Sequence, residues 1–76
     1  MIRVLLADDH PVVRNGYLQL LEQAGGIQVA AQAGDADAAY AAFLAQPLDV
    51  IVTDLAMPAG GGLDLMRRVL ARDSTA

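Results

Sequence analysis

From Ile2 to Ala7 the chain reads I-R-V-L-L-A, an apolar run closed by Asp8 and Asp9. A short apolar stretch bounded by polar residues suits a strand buried on both faces of a parallel sheet. Pro11 follows, and proline fits the first turn of a helix because its missing N–H would lack a partner there anyway. Asp9 or His10 stands where a capping side chain belongs. Val13, Tyr17, Leu20, Leu21 and Ala24 recur at helical spacing and predict the inner face of a helix that stops at Gly25-Gly26. Ile27 and Val29 alternate with Gln28, the pattern of a less buried edge strand, and Gly34-Asp35 ends it. A second helix is predicted from about Ala36 to Ala45, with Ala36, Ala39, Tyr40, Phe43 and Leu44 inward and Pro47 just beyond. Val50-Ile51-Val52 predicts a third strand. A loop containing Pro58 and Gly60-Gly61-Gly62 then leads to a third helix with Leu63, Met66, Val69 and Leu70 on its apolar face.

The order is therefore βαβαβα, with no repeat, low-complexity tract or linker. Right-handed crossovers and an amphipathic second strand predict a parallel α/β sheet of order 2-1-3, with the first helix on one face and the other two on the opposite face. Ligands of such open sheets sit beyond the carboxyl ends of the strands, where the chain reverses direction across the sheet. Asp8 and Asp9 end the first strand and Asp54 follows the third, so the topology gathers all three there.

Composition narrows the chemistry. Seventy-six residues, 55% of them hydrophobic, make one small α/β domain whose stability comes from packing, since there is no Cys to form a disulfide. Five arginines, no lysine and nine acids give a net charge of −4, which argues against nucleic-acid contact by this segment. The N-terminal apolar run is too short for a signal peptide, contains Arg3 and meets two aspartates at once. No stretch is long enough to span a membrane. A cytoplasmic protein is expected.

Three converging carboxylates repel one another unless a cation sits among them, and a hard divalent ion such as Mg²⁺ is the usual solution. With a single histidine and no cysteine, a soft-metal site has few ligands. His10 is expected to be a surface or capping residue, Asp35 and Asp49 to be turn or cap formers, and Tyr40 and Phe43 to be core. Arg67, Arg68 and Arg72 lie toward the end of a helix that carries Asp64 near its start, which suits a solvated face aligned with the helix dipole. Gly60 to Gly62 lacks the lysine of a nucleotide-binding loop.

The segments V-L-L-A-D-D-H-P-V-V-R and V-I-V-T-D-L-A-M-P-A-G-G-G-L-D-L resemble the receiver domains of two-component response regulators, closest to the helix-turn-helix-output, LuxR-type transcription regulators. The resemblance runs from Arg3 to about Arg72. It implies a flavodoxin-like doubly wound sheet of which residues 1–76 form the N-terminal three βα units, with the output domain absent. It also implies that Asp54 is the phosphoacceptor for a phosphohistidine on a sensor histidine kinase. Asp9 would then be the direct Mg²⁺ ligand, Asp8 an acid that helps hold the ion, and Ala56 a ligand through its backbone carbonyl. Met57, Pro58 and Gly62 correspond to the turn that shapes this loop. Such a module is a signalling phosphoprotein in a phosphorelay rather than an enzyme.

The family pattern departs in two places. Intact receivers continue through two further strands carrying a Thr or Ser and a Lys, whereas Ser74 and Thr75 follow the third helix immediately and this chain has no Lys. Two other functions compete with the phosphoacceptor reading. One is a truncated receiver serving only as an interaction module. The other, an aspartyl-nucleophile phosphatase, would carry D-x-D after the first strand, where this chain has D-D-H-P. The third strand, left as an open edge, and a face bearing one helix also lead us to expect self-association.

Overall fold

A computed structural model describes residues 1–54 and 61–72. Its elements are β1 (Ile2–Ala7), α1 (Pro11–Gln23), β2 (Ile27–Ala33), α2 (Ala36–Ala45), β3 (Val50–Thr53) and α3 (Gly61–Arg72). The three strands are parallel in the order β2-β1-β3, as the hydrophobic pattern predicts. β1 takes the central place and it alone is buried on both sides of the pleat, at Val4, Leu5, Leu6 and Ala7. Leu5 and Ala7 join Ala33, Ala36, Ala39, Leu65 and Val69 in the main core beneath α2 and α3. Val4 and Leu6, one residue out of phase, point to the opposite face, where α1 lies. The pairing of β1 with β2 slips between Val4 and Leu5, so that Val4 opposes Val29 and Leu5 opposes Ala31. This irregularity keeps Ala7 level with Ala33 at the carboxyl edge.

Local chemistry fixes the ends of the elements. Gly25 and Gly26 have φ of 74° and 71°, a backbone region that side chains disfavour, and they turn the chain out of α1 into β2. Asp35 caps α2, its Oδ1 accepting from the Ala38 N–H at 2.7 Å. Asp49 also serves locally, accepting from the Arg3 N–H through Oδ2 at 2.8 Å. The Arg3 side chain donates to the Pro47 carbonyl, Gln28 and Gln46, and so ties the connection between α2 and β3 to the amino edge of the sheet.

Several predicted faces are corrected. In α1 the half-buried positions are Arg14, Leu18 and Leu21, whereas Val13, Leu20 and Ala24 are exposed and Tyr17 is 48% exposed. α1 rests on β1 and β2, and Val13 and Tyr17 overlook a groove above β3 that no described element covers. In α2, Leu44 is exposed because it lies about 80° around the helix from Ala36, at the margin of the stripe formed by Ala36, Ala39, Tyr40 and Phe43. In α3 the buried residues are Gly61, Gly62, Leu65 and Val69, while Leu63, Met66 and Leu70 are exposed. Gly61 and Gly62 thus form the first turn of the helix instead of its preceding loop. Side chains of α2 also tie down the outer side of α3. Arg68 pairs with Asp37 at 2.7 Å and with Asp64 at 2.8 Å and lies over the Tyr40 ring, 5.8 Å from its centroid. The hydrogen bond to Asp37 raises the Arg68 pKa; desolvation, the next largest effect, opposes it, and the fields of Asp64 and Asp37 and the hydrogen bond to Asp64 add to the rise. Tyr40 and Phe43 stack with ring centroids 6.0 Å apart and pack against the core as half-buried residues.

Candidate functional site

Backbone pairing continues past the strand ends and sets the site. The Asp8 N–H donates to the Ala33 carbonyl and the Asp54 N–H to the Ala7 carbonyl, both at 3.0 Å. These bonds hold Asp8 and Asp54 side by side at the carboxyl edge, where β1 and β3 adjoin. Asp8 is the one buried charged residue among those described, 6% exposed, and its Oδ1 accepts from the His10 N–H at 2.9 Å. That bond closes the turn between β1 and α1. His10 occupies the N-cap position of α1 without a side-chain capping bond, so neither Asp9 nor His10 caps as expected. The helix start depends on Pro11 and on the Arg14 N–H donating to the His10 carbonyl at 2.9 Å.

One ligand-capable atom from each of Asp8, Asp9, His10 and Asp54 lies within 4.8 Å of the others. The structure therefore brings together the three aspartates named from the sequence and adds His10. Asp9 Oδ1 is shut off from solvent and takes no hydrogen bond of good geometry, although His10 Nδ1 stands 2.9 Å away. A buried carboxylate oxygen is costly unless a well-placed donor or a cation reaches it. The oxygen-rich set and this orphaned atom fit a hard divalent ion. Leu6, Ala7, Val13, Tyr17, Val52 and Thr53 wall the same groove, so the acids sit at its polar end against an apolar side. Thr53 is turned locally, its Oγ1 donating to the Asp54 carbonyl at 3.0 Å.

Ala56, together with Met57 and Pro58 of the expected turn and the Ser74 and Thr75 of the chain end, lies outside the described residues. Sequence reasoning missed Arg14, whose guanidinium donates to the Asp8 carbonyl at 3.0 Å. A cation one turn into the helix after an acid pair was the available signal.

With this geometry in place, the comparisons with known proteins become specific. Residues 4–76 match the model of the response regulator receiver domain. The chain is 41% identical over 69 residues to the response regulator UvrY of Escherichia coli O6:H1, covering 91% of this chain and 32% of UvrY. It is 40% identical over 72 residues to the DNA-binding transcriptional activator DevR/DosR of Mycobacterium tuberculosis, covering 95% of this chain and 33% of that protein. Among solved structures it resembles a LuxR-family two-component response regulator from Aurantimonas sp. SI85-9A1, with a TM-score of 0.93 and 40% identity over 97% of this chain and 53% of the other. The receiver domain of the putative response regulator NarL from M. tuberculosis gives a TM-score of 0.91 at 32% identity, covering 95% of this chain and 58% of the other. The chain spans about a third of the length of the curated relatives it matches.

Proposed function

Because this chain belongs to the response regulator receiver family, by its match over residues 4–76, we propose that it carries the phosphoacceptor site of a two-component regulator, with Asp54 as the acceptor. The observation that supports this reading is the meeting of Asp8, Asp9 and Asp54 at the switch point of the sheet. An Asp54 oxygen attacks the phosphorus of a phosphohistidine on a sensor kinase in line. The new O–P bond makes an acyl phosphate as the N–P bond breaks, and the imidazole nitrogen leaves with the bonding pair. Asp8, Asp9 and Asp54, with the Ala56 carbonyl, would hold Mg²⁺, which when bound offsets the repulsion between carboxylate and phosphoryl oxygens. The chain positions the reacting groups: pairing of Asp54 with Ala7 and of Asp8 with Ala33 fixes the carboxylates relative to each other.

The full-length protein would act in the cytoplasm as a transcription regulator, with DNA contacted by an output domain rather than by this acidic segment. RcsB, a neighbour of known structure, has been seen bound to promoter DNA in the presence of the phosphomimetic BeF3⁻. No helix among the described residues is long and apolar enough to cross a membrane. To test the assignment, the chain is joined to the fourth and fifth βα units of a LuxR-family receiver and treated with acetyl phosphate and Mg²⁺. Phosphate-affinity electrophoresis should show a shifted band that the Asp54→Asn chimera lacks; equal labelling of both would place the acceptor elsewhere. The 76-residue chain alone should label poorly, because it has no Lys to pair with the phosphoryl group.

Self-association is the second part of the proposal. β3 pairs only with β1 among the described strands, and beside its free edge Phe43, Leu48, Val50, Ile51, Met66 and Leu70 line an apolar groove. An open apolar edge invites pairing with another chain. Light scattering over a concentration series should show mass rising with concentration, and a constant monomer mass would rule it out.

A further inference from the structure

His10 is the one group at the acidic pocket that the phosphoacceptor reading leaves without a role. Its side chain is largely exposed, yet Nδ1 is turned back onto the acids, 2.9 Å from Asp9 Oδ1 and 3.3 Å from Asp8 Oδ1. Helix capping does not explain this, because His10 makes no side-chain capping bond. The backbone does not force it either, since the His10 N–H is already satisfied by Asp8 Oδ1. The separations of Nδ1 from the two acids are those of adjacent ligands on one small cation, about 2.8–3.6 Å for bonds of roughly 2.0–2.2 Å at right-angle or tetrahedral geometry.

We propose that His10 Nδ1 is a metal ligand, which makes the pocket a mixed nitrogen–oxygen site that takes borderline first-row divalent ions such as Co²⁺ and Zn²⁺ as well as Mg²⁺. The inference rests on the reading of the three aspartates as a cation site and extends it to metal preference. Imidazole nitrogen contributes little to Mg²⁺, which favours oxygen and retains its waters, but binds cobalt, nickel and zinc well. Such ions bind nitrogen and oxygen at about 2.0–2.2 Å, so donors on opposite sides of one stand about 4.2 Å apart. The four donors lie within 4.8 Å of one another, and the exposed His10 ring is free to turn and close the difference.

Calorimetric titration of Mg²⁺ and Co²⁺ into wild type, His10→Ala, His10→Gln and Asp9→Asn, at one fixed pH, tests the assignment. Removing the imidazole should weaken Co²⁺ by about tenfold or more while changing Mg²⁺ by less than about twofold, since one ligand of the borderline ion is lost and none of the hard one. Co²⁺ should also shift the His10 ring proton resonances of the wild type strongly through its unpaired electrons. His10→Gln keeps the bulk at the N-cap, so agreement between the two variants separates loss of the ligand from a disturbed turn. A fall in Co²⁺ affinity no larger than that in Mg²⁺ would overturn the proposal and leave His10 as a counter-charge to the acids. If Asp9→Asn weakens both ions while the His10 variants weaken neither, the inference fails and the aspartate site stands. If Asp9→Asn leaves both unchanged, the cation site itself fails.

Discussion

Leu65 and Leu63 lie two residues apart on α3, and the structure assigns them opposite energetic weights. Leu65 is 0% exposed in the core with Leu5, Ala39 and Val69, whereas Leu63 is 58% exposed. Leu65→Ala removes three buried carbons, about 2.4 kcal/mol of transfer free energy at roughly 0.8 kcal/mol each. The space left between the sheet and α3 closes only partly, which brings the expected cost to about 3–4 kcal/mol. A 76-residue domain has about 4–11 kcal/mol in all, at roughly 0.05–0.15 kcal/mol per residue. Leu65→Ala should therefore remove at least about a quarter of the domain's stability, whereas Leu63→Ala should change it by less than about 0.5 kcal/mol. Urea denaturation followed by circular dichroism reads both, provided the slope is unchanged between variants. Equal costs for the two substitutions would refute the reasoning, because α3 would then be rolled toward the Leu63, Met66 and Leu70 stripe.

Two further outcomes follow from the ends of the elements. Asp35→Ala removes the cap on Ala38 and should cost about 1 kcal/mol in the same denaturation assay, with Asp35→Asn recovering most of it. Arg3→Met keeps the apolar stem but loses the donors to Pro47, Gln28 and Gln46; hydrogen exchange should quicken at the Asp49 amide, which donates to the Arg3 carbonyl, while the Asp8 and Asp54 amides at the far edge keep their protection.

The strand order and the meeting of the acids could be read from the sequence because both depend on period and handedness. One continuous apolar run, one alternating run and right-handed crossovers leave β1 in the middle and Asp8 beside Asp54. Helix faces were less legible. An apolar surface wider than one stripe, as on α3, allows two rolls, and the burial of Leu65 and Val69 against Leu5, Ala7 and Ala39 decides between them, through contacts of long sequence separation. On α1 the misreading of Val13 and Tyr17 has the same origin: their spacing marks a helix, but only the position of that helix over β1 and β2 decides which apolar residues are covered. The adjacency of His10 to two acids was visible, but the rotamer that turns Nδ1 onto them was not.

The acidic pocket carries the account, and Mg²⁺ titration of this chain by calorimetry, wild type against Asp9→Asn, tests it most directly. Asp9 offers a carboxylate oxygen within 4.8 Å of ligand atoms of Asp8 and Asp54, so wild type should bind one Mg²⁺, with amide shifts at Asp8, Asp9 and Asp54. Asp9→Asn removes a charged ligand and should lose about tenfold or more in affinity. Mg²⁺ binding of equal strength in both proteins, or amide shifts confined to residues far from the carboxyl ends of β1 and β3, would contradict it.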